Sequence, residues 1–339
     1  PGLINTHTHT AMSLFRGLAD DLPLMTWLNE HIWPAEQHWV GEQFIRDGTR
    51  LAIAEMLRGG TTCFNDMYFF PNITASVARQ EGMRATVGLI VFDFPSAWGD
   101  GPDDYINKGL ALHDNYRGDE LVSTAFAPHA PYTTSDAALA RIRTLADELD
   151  IPIHMHVHET HDEIVGSLEQ FGVRPLERLN RLGLLSPQLL AVHMTQLTDE
   201  EIALCAESGL HMIHCVESNM KLASGFAPVE KLRQAGINIA LGTDGAASNN
   251  DLDMFGEMRT ASLMAKAVGG SAQALPAFET LKTATLNGAR ALGIDARTGS
   301  IETGKAADLV AVNLDHLATG PVYDPVSQLV YSAGRDQVS

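Results

Sequence analysis

Positive charge is scarce in this chain. Lys and Arg number 23, with only six lysines, against 42 Asp and Glu, which gives a formal net charge of −19 over 339 residues. So acidic a surface repels phosphate and excludes a nucleic-acid binder that works by neutralising the backbone. Cysteine is also scarce. Cys63, Cys205 and Cys215 cannot build a disulfide framework, and the chain reads as cytoplasmic on that account. No apolar run reaches the roughly eighteen residues of a membrane helix, so no membrane partner is expected. The start, Pro1-Gly2-Leu3-Ile4, has no basic region and no apolar core of the signal-peptide kind. Low-complexity tracts are missing, and the 45% of apolar residues are spread evenly, so a folded chain with a sizeable core is expected.

Several catalytic signatures are absent as well. His158-Glu159-Thr160-His161 is not H-E-x-x-H, no G-x-S-x-G elbow occurs, and no P-C-x-x-C accompanies the histidines. Gly299–Lys305 approaches a phosphate loop, but Ala306 stands where a magnesium-binding hydroxyl is needed, and a strand follows rather than a helix.

What is present is an alternation. Short β-branched runs at Leu3–Thr8, Thr61–Asn65, Ala85–Val91, Val122–Ala127, Ile151–Val157, Leu189–His193, His211–Cys215 and Ile237–Thr243 are each followed by a stretch of helical period. Eight such units predict a (β/α)₈ barrel of TIM type over residues 1–293. A doubly wound sheet is the alternative, but the first strand ends in Asn5-Thr6-His7-Thr8-His9 rather than a glycine-rich turn. From residue 294 the pattern changes. Asp308–Asn313 reads as a strand and the tail from His316 as irregular, so residues 294–339 are expected to be the returning part of a small, incomplete β appendage.

Fourteen histidines make the functional signal. His7 and His9 are two apart on a strand, so both imidazoles point the same way at the catalytic end of a barrel. His154, His156 and His158 alternate with Ile153, Met155 and Val157, which puts the three on one face of strand five; spacing alone does not say which one binds. Strand six ends in His193 and strand eight in Asp244. An aspartate before glycine is ordinarily a turn, but metal-type ligands ending strands one, five, six and eight together point to a divalent transition metal.

These residues resemble the amidohydrolase superfamily. More narrowly, Trp33-Pro34-Ala35-Glu36, Ala127-Pro128-His129-Ala130-Pro131-Tyr132 and Ser218-Asn219-Met220-Lys221-Leu222 are similar to segments of the 5'-methylthioadenosine/S-adenosylhomocysteine deaminases. The resemblance implies one metal per subunit, zinc first with iron, manganese or cobalt also suited, held by His7, His9, His156 and Asp244. It selects His156 because the family spaces that ligand two residues ahead of its catalytic glutamate, here Glu159. Strand four ends without the lysine that binuclear relatives carry.

The implied reaction is hydrolytic loss of the adenine 6-amino group. Asp244 takes a proton from the attacking water, His193 holds that water, and Glu159 protonates ring nitrogen N1. Glu36 is implied to bind the ribose hydroxyls, and His129 to touch the nucleoside. Relatives that take S-adenosylhomocysteine hold its carboxylate with arginine after strand three. Here none occurs between Arg84 and Arg117, and Asp100, Asp103 and Asp104 populate that loop. Methylthioadenosine is therefore expected ahead of the homocysteine compound or adenosine, with a free purine or pyrimidine base or an s-triazine as the alternative substrate. The resemblance also implies a homo-oligomer. The family's sandwich-forming flanks lead us to expect that the chain is a fragment of a longer one.

Overall fold

A computed structural model describes residues 1–339. Eight parallel strands follow in sequence order: β1 (Leu3–Thr8), β2 (Thr61–Asp66), β3 (Arg84–Val91), β4 (Val122–Pro128), β5 (Ile153–Val157), β6 (Leu189–His193), β7 (His211–His214) and β8 (Asn238–Leu241). Each lies within two residues of its expected ends. Strands covered by helices on one side and by the barrel interior on the other read as nearly unbroken apolar runs. β3 shows this, buried at every position after Arg84.

The barrel does not close in one uniform way. Ladders join β1 through β8 in order, but no ladder joins β8 back to β1. Side chains close that seam instead. Asn5 Nδ2 donates to Thr243 Oγ1 at 2.7 Å while its Oδ1 accepts from the Thr243 N–H at 3.0 Å. Thr6 Oγ1 donates to the Leu241 carbonyl at 2.6 Å, and the Asp244 N–H donates to the His7 carbonyl at 2.9 Å. Gly242 sits where a Cβ would come within 2.7 Å of His7 N, so only glycine lets the strands approach this closely. The seam therefore brings His7 and Asp244 together.

Local signals account for the helix ends. Thr198 opens Asp199–Ser208 with a capping box to Glu201, and Gly209 closes it in the left-handed region. Four helical segments lacked a readable period: Thr10–Phe15, the run Leu24–Trp39, Val216–Lys221 and Pro325–Tyr331. In Leu24–Trp39 a π-helical turn, Leu28–Ile32, shifts the phase, and Pro34 lies two residues past it, where the widened turn accommodates a residue with no N–H to donate. Before the tail the chain forms two short helices, Ala277–Thr283 and Leu286–Ala291, which break at Thr285. In the tail, Asp308–Asn313 forms no strand. It contributes one antiparallel bridge, Val312 with Val338. The tail is tied to the barrel by the Gly2 N–H to the Asp308 carbonyl and by Arg84 Nε to Asp308 at 2.8 Å.

Candidate active site

The C-terminal ends of the strands carry a cavity of about 470 Å³. Beneath its floor, fully buried, His7 from β1 is the centre of a cluster. Its Nε2 lies 3.3 Å from Asp244 Oδ1 and 3.2 Å from His156 Nε2. His9 Nε2 lies 3.2 Å from the same Asp244 oxygen. Ligand atoms of His7, His9 and Asp244 fall within 4.8 Å of one another, as do those of His7, His156 and His193. All four implied ligands thus meet around His7, with His193 beside them.

This donor set fits a divalent transition metal. The His9 Nδ1 faces the Met67 carbonyl, and the His156 Nδ1 faces the His129 carbonyl at 2.8 Å. A ring nitrogen opposite a carbonyl must donate, so in the neutral ring each Nε2 is a free lone pair suited to a metal. Bare lone pairs packed this close need a cation between them. The observed 3.2–3.3 Å separations match the edge of about 3.3 Å that a tetrahedral site with typical zinc–nitrogen bonds requires.

The backbone is strained where these side chains are presented. His158, His193, Met194 and Asp244 all have positive φ, at 55°, 76°, 52° and 64°, a conformation that non-glycine residues hold only when their surroundings impose it. At His158 the turn breaks the expected three-histidine face. His154 Nε2 contacts His7 Nδ1 at 2.8 Å, and His156 joins the cluster, but His158 swings away and accepts from the Leu176 N–H at 3.1 Å.

Glu159 follows that turn. Glu163 holds it, its two oxygens accepting from the His158 and Glu159 N–H groups at 3.1 and 2.8 Å, and Thr195 Oγ1 donates to the Glu159 carbonyl at 2.7 Å. Burial raises the Glu159 carboxyl above the ordinary carboxylate range, with Asp244 adding to the rise and His193 opposing it. Its Oε2 stands 3.9 Å from His193 Nε2. Burial pushes His129 down to about 3, so it faces the cavity as a neutral ring.

Glu36 comes from across the cavity, on Trp33–Trp39. Tyr68, just past β2, donates to Glu36 Oε1 at 2.6 Å. Burial raises Glu36 to about 7, against the lowering by that hydrogen bond and by His9. Phe69, Phe92, Phe94 and Trp27 line much of the remaining wall. The lining contains three carboxylates, Glu36, Glu159 and Asp244, and no lysine or arginine.

Tyr68, Glu163 and Thr195 carried no readable signal beyond their nearness to strand ends. Ser218 and Asn219 stood in a recognised segment without a role.

A parallel barrel with converging histidines and an aspartate at its C-terminal mouth defines a hydrolase of the metal-dependent barrel class. The chain belongs to the Amidohydrolase family, which it matches over residues 1–338, and that family is metal-dependent. It is 56% identical over 330 residues to the 5-methylthioadenosine/S-adenosylhomocysteine deaminase of Saccharophagus degradans, covering 97% of this chain and 74% of that one. It is 45% identical to the 5'-deoxyadenosine deaminase of Methanothermobacter thermautotrophicus, covering 100% and 78%. Among solved structures, an adenosine deaminase from Xanthomonas campestris with bound zinc superposes with a TM-score of 0.99 at 59% identity, covering 100% of this chain and 77% of that one.

Proposed function

We propose that this chain is a hydrolase that deaminates the adenine ring of nucleosides, 5'-methylthioadenosine first among them, to the hydroxypurine and ammonia. The observation that carries the reading is the placement of Glu159, His193 and Asp244 around one cavity floor, with Glu36 on the far wall. His7, His9, His156 and Asp244 would hold one divalent cation, zinc being the first choice. Such a cation lowers the pKa of a bound water to around 7 and so supplies a nucleophile at neutral pH.

The chain's own residues do the rest. Glu159, whose protonated form burial favours, passes a proton to ring nitrogen N1, which makes C6 electrophilic. Asp244 takes a proton from the attacking water, and His193 holds that water against C6. The amino group takes the proton held by Asp244 and leaves as ammonia as the C6–N bond breaks, and the C6 hydroxyl gives its proton back to Glu159, so water is consumed and no redox partner is required. Neutral His129 packs against the nucleoside. Glu36 accepts from both ribose hydroxyls, which suits a vicinal diol because a carboxylate offers four lone pairs.

The cation-free, aromatic wall supports a neutral apolar 5' substituent over one ending in a carboxylate. No helix is long and apolar enough to cross a membrane, and the three cysteines are unpaired and buried. Those thiols support a reducing, cytoplasmic setting. We also read residues 294–339 as distinct from the barrel of residues 1–293, and the working unit as a homo-oligomer.

The test is an ultraviolet deamination assay on zinc-loaded protein with 5'-methylthioadenosine, S-adenosylhomocysteine and adenosine side by side. Loss of the adenine band, fastest with methylthioadenosine, is expected. No loss with any adenine nucleoside overturns the reading. Activity on free bases that Glu36→Gln leaves untouched would move the substrate to the base or s-triazine class.

A further inference from the structure

Ser218 and Asn219 lie on the short helix Val216–Lys221 that follows β7, and both are fully buried. Asn219 Oδ1 is 2.8 Å from His193 Nδ1. An amide oxygen only accepts, so His193 Nδ1 carries the proton and donates. A neutral imidazole has one such proton, which leaves Nε2 bare, facing Glu159 and the nitrogens of His7 and His156. The other half of the Asn219 amide, Nδ2, has no partner. A buried donor without a partner is costly. Leucine would fill such a site without that cost, so packing alone does not explain an asparagine here.

The neighbouring residue acts on the second proton-handling group. Ser218 Oγ donates to Asp244 Oδ2 at 2.7 Å. Asp244 Oδ1 accepts from the Gly245 N–H at 2.7 Å and is the oxygen that faces His7 and His9. One oxygen of Asp244 is therefore engaged from behind, and the other is directed at the cluster.

We propose that Ser218 and Asn219 are a positioning pair for the deamination: Asn219 holds His193 in the Nδ1–H tautomer so that Nε2 can accept a hydrogen bond from the attacking water, and Ser218 assigns the two oxygens of Asp244. This rests on the proposed roles of His193 and Asp244 in that reaction. Adjacent residues on one helix thus set both acceptors, and a displacement of that helix disturbs them together.

The test begins with the metal-free full chain labelled with ¹⁵N-histidine. The imidazole nitrogens of His193 are assigned by their loss in His193→Asn. The wild-type chain is expected to show the Nδ1–H form, Asn219→Asp to keep it, and Asn219→Leu to lose it in favour of Nε2–H. In zinc-loaded protein, Asn219→Leu lowers kcat on 5'-methylthioadenosine about 10- to 100-fold with KM nearly unchanged, and Asn219→Asp restores part of it. Ser218→Ala lowers kcat by less, and Ser218→Thr recovers it.

A wild-type His193 in the Nε2–H form, or an Asn219→Leu variant with unaltered tautomer and kcat, overturns the pair. Should Asn219→Leu fail to fold, the wild-type tautomer and the Asn219→Asp variant still decide the matter. A wild-type chain inactive on every adenine nucleoside overturns the function instead, and the tautomer measurement remains decisive for the pair.

Discussion

At the mouth of the barrel, polar side chains are buried and held by partners: Asn5, Thr6, His7 and His154 are fully buried, and each is hydrogen-bonded. Beyond residue 294 the situation reverses. Ile301, Tyr323 and Leu317 are apolar or aromatic and stand 72%, 93% and 99% exposed. Buried polar groups are costly unless paired, so each residue at the mouth constrains its neighbours. An exposed apolar side chain constrains almost nothing around it. The two regions teach that sensitivity to substitution follows the number of partners a side chain must satisfy, not its hydrophobicity.

The strongest way to sharpen that contrast is Glu159→Gln. It removes the proposed proton donor while keeping shape, so kcat is expected to fall about 10²- to 10⁴-fold. Metal content and thermal midpoint should hold, and atomic absorption and calorimetry check both.

Next is the seam. A methyl group at Gly242 meets His7 N and Cβ at 2.7 Å, so Gly242→Ala forces β8 away from β1. We expect about 1–3 kcal/mol of lost stability together with weakened metal retention, read by denaturant titration and by dialysis against chelator.

Glu36→Gln comes third. Losing the proposed charged acceptor for the diol is expected to raise KM for ribonucleosides about 10-fold or more and hardly to affect a 2',3'-dideoxy analogue. The pH dependence has a definite sign. Only ionised Glu36 accepts from both hydroxyls, and its folded pKa is raised from 4.5 to about 7. KM for ribonucleosides should therefore fall as pH rises through about 7, and this change should vanish in Glu36→Gln.

Glu163 supplies a stability counterpart. Burial raises it to about 8 despite the two N–H groups it accepts from. Between 4.5 and about 8 the folded chain binds more protons at this site than the unfolded chain, so this group's contribution to stability declines as pH rises through that window. The decline should disappear in Glu163→Gln. Smallest of all is the tail: Leu317→Ser should shift stability by no more than about 0.5 kcal/mol and leave kcat alone. A large effect there would break the comparison outright.

Much of the fold and the site was legible in the chain's local pattern. The barrel strands could be read because parallel strands are apolar on both faces and are punctuated by capped helices, as at Thr198 and Gly209. His7 and His9 could be read because period two on a strand is a geometric rule. Helix Val216–Lys221 could not, since six residues carry no helical period worth reading. The wall carrying Glu36 was hidden by its π turn, which displaces the phase that a helical reading relies on.

The three histidines of β5 show where the sequence stops. Their alternation determined that they begin on one strand, but it could not separate their tasks. The barrel did so: β5 carries His154 to the Nδ1 side of His7 and His156 to its Nε2 side, and the left-handed turn at His158 sends that side chain to Leu176. By itself the sequence determined the order of strands, the acidic surface and the residue types available at the strand ends, because these follow from composition and local period. Only the tertiary structure decided that Asn5 and Thr243 close the barrel, that Tyr68 meets Glu36, and that Asn219 meets His193. Those contacts join residues 238, 32 and 26 positions apart, and no local preference of the chain encodes a hydrogen bond across such a distance.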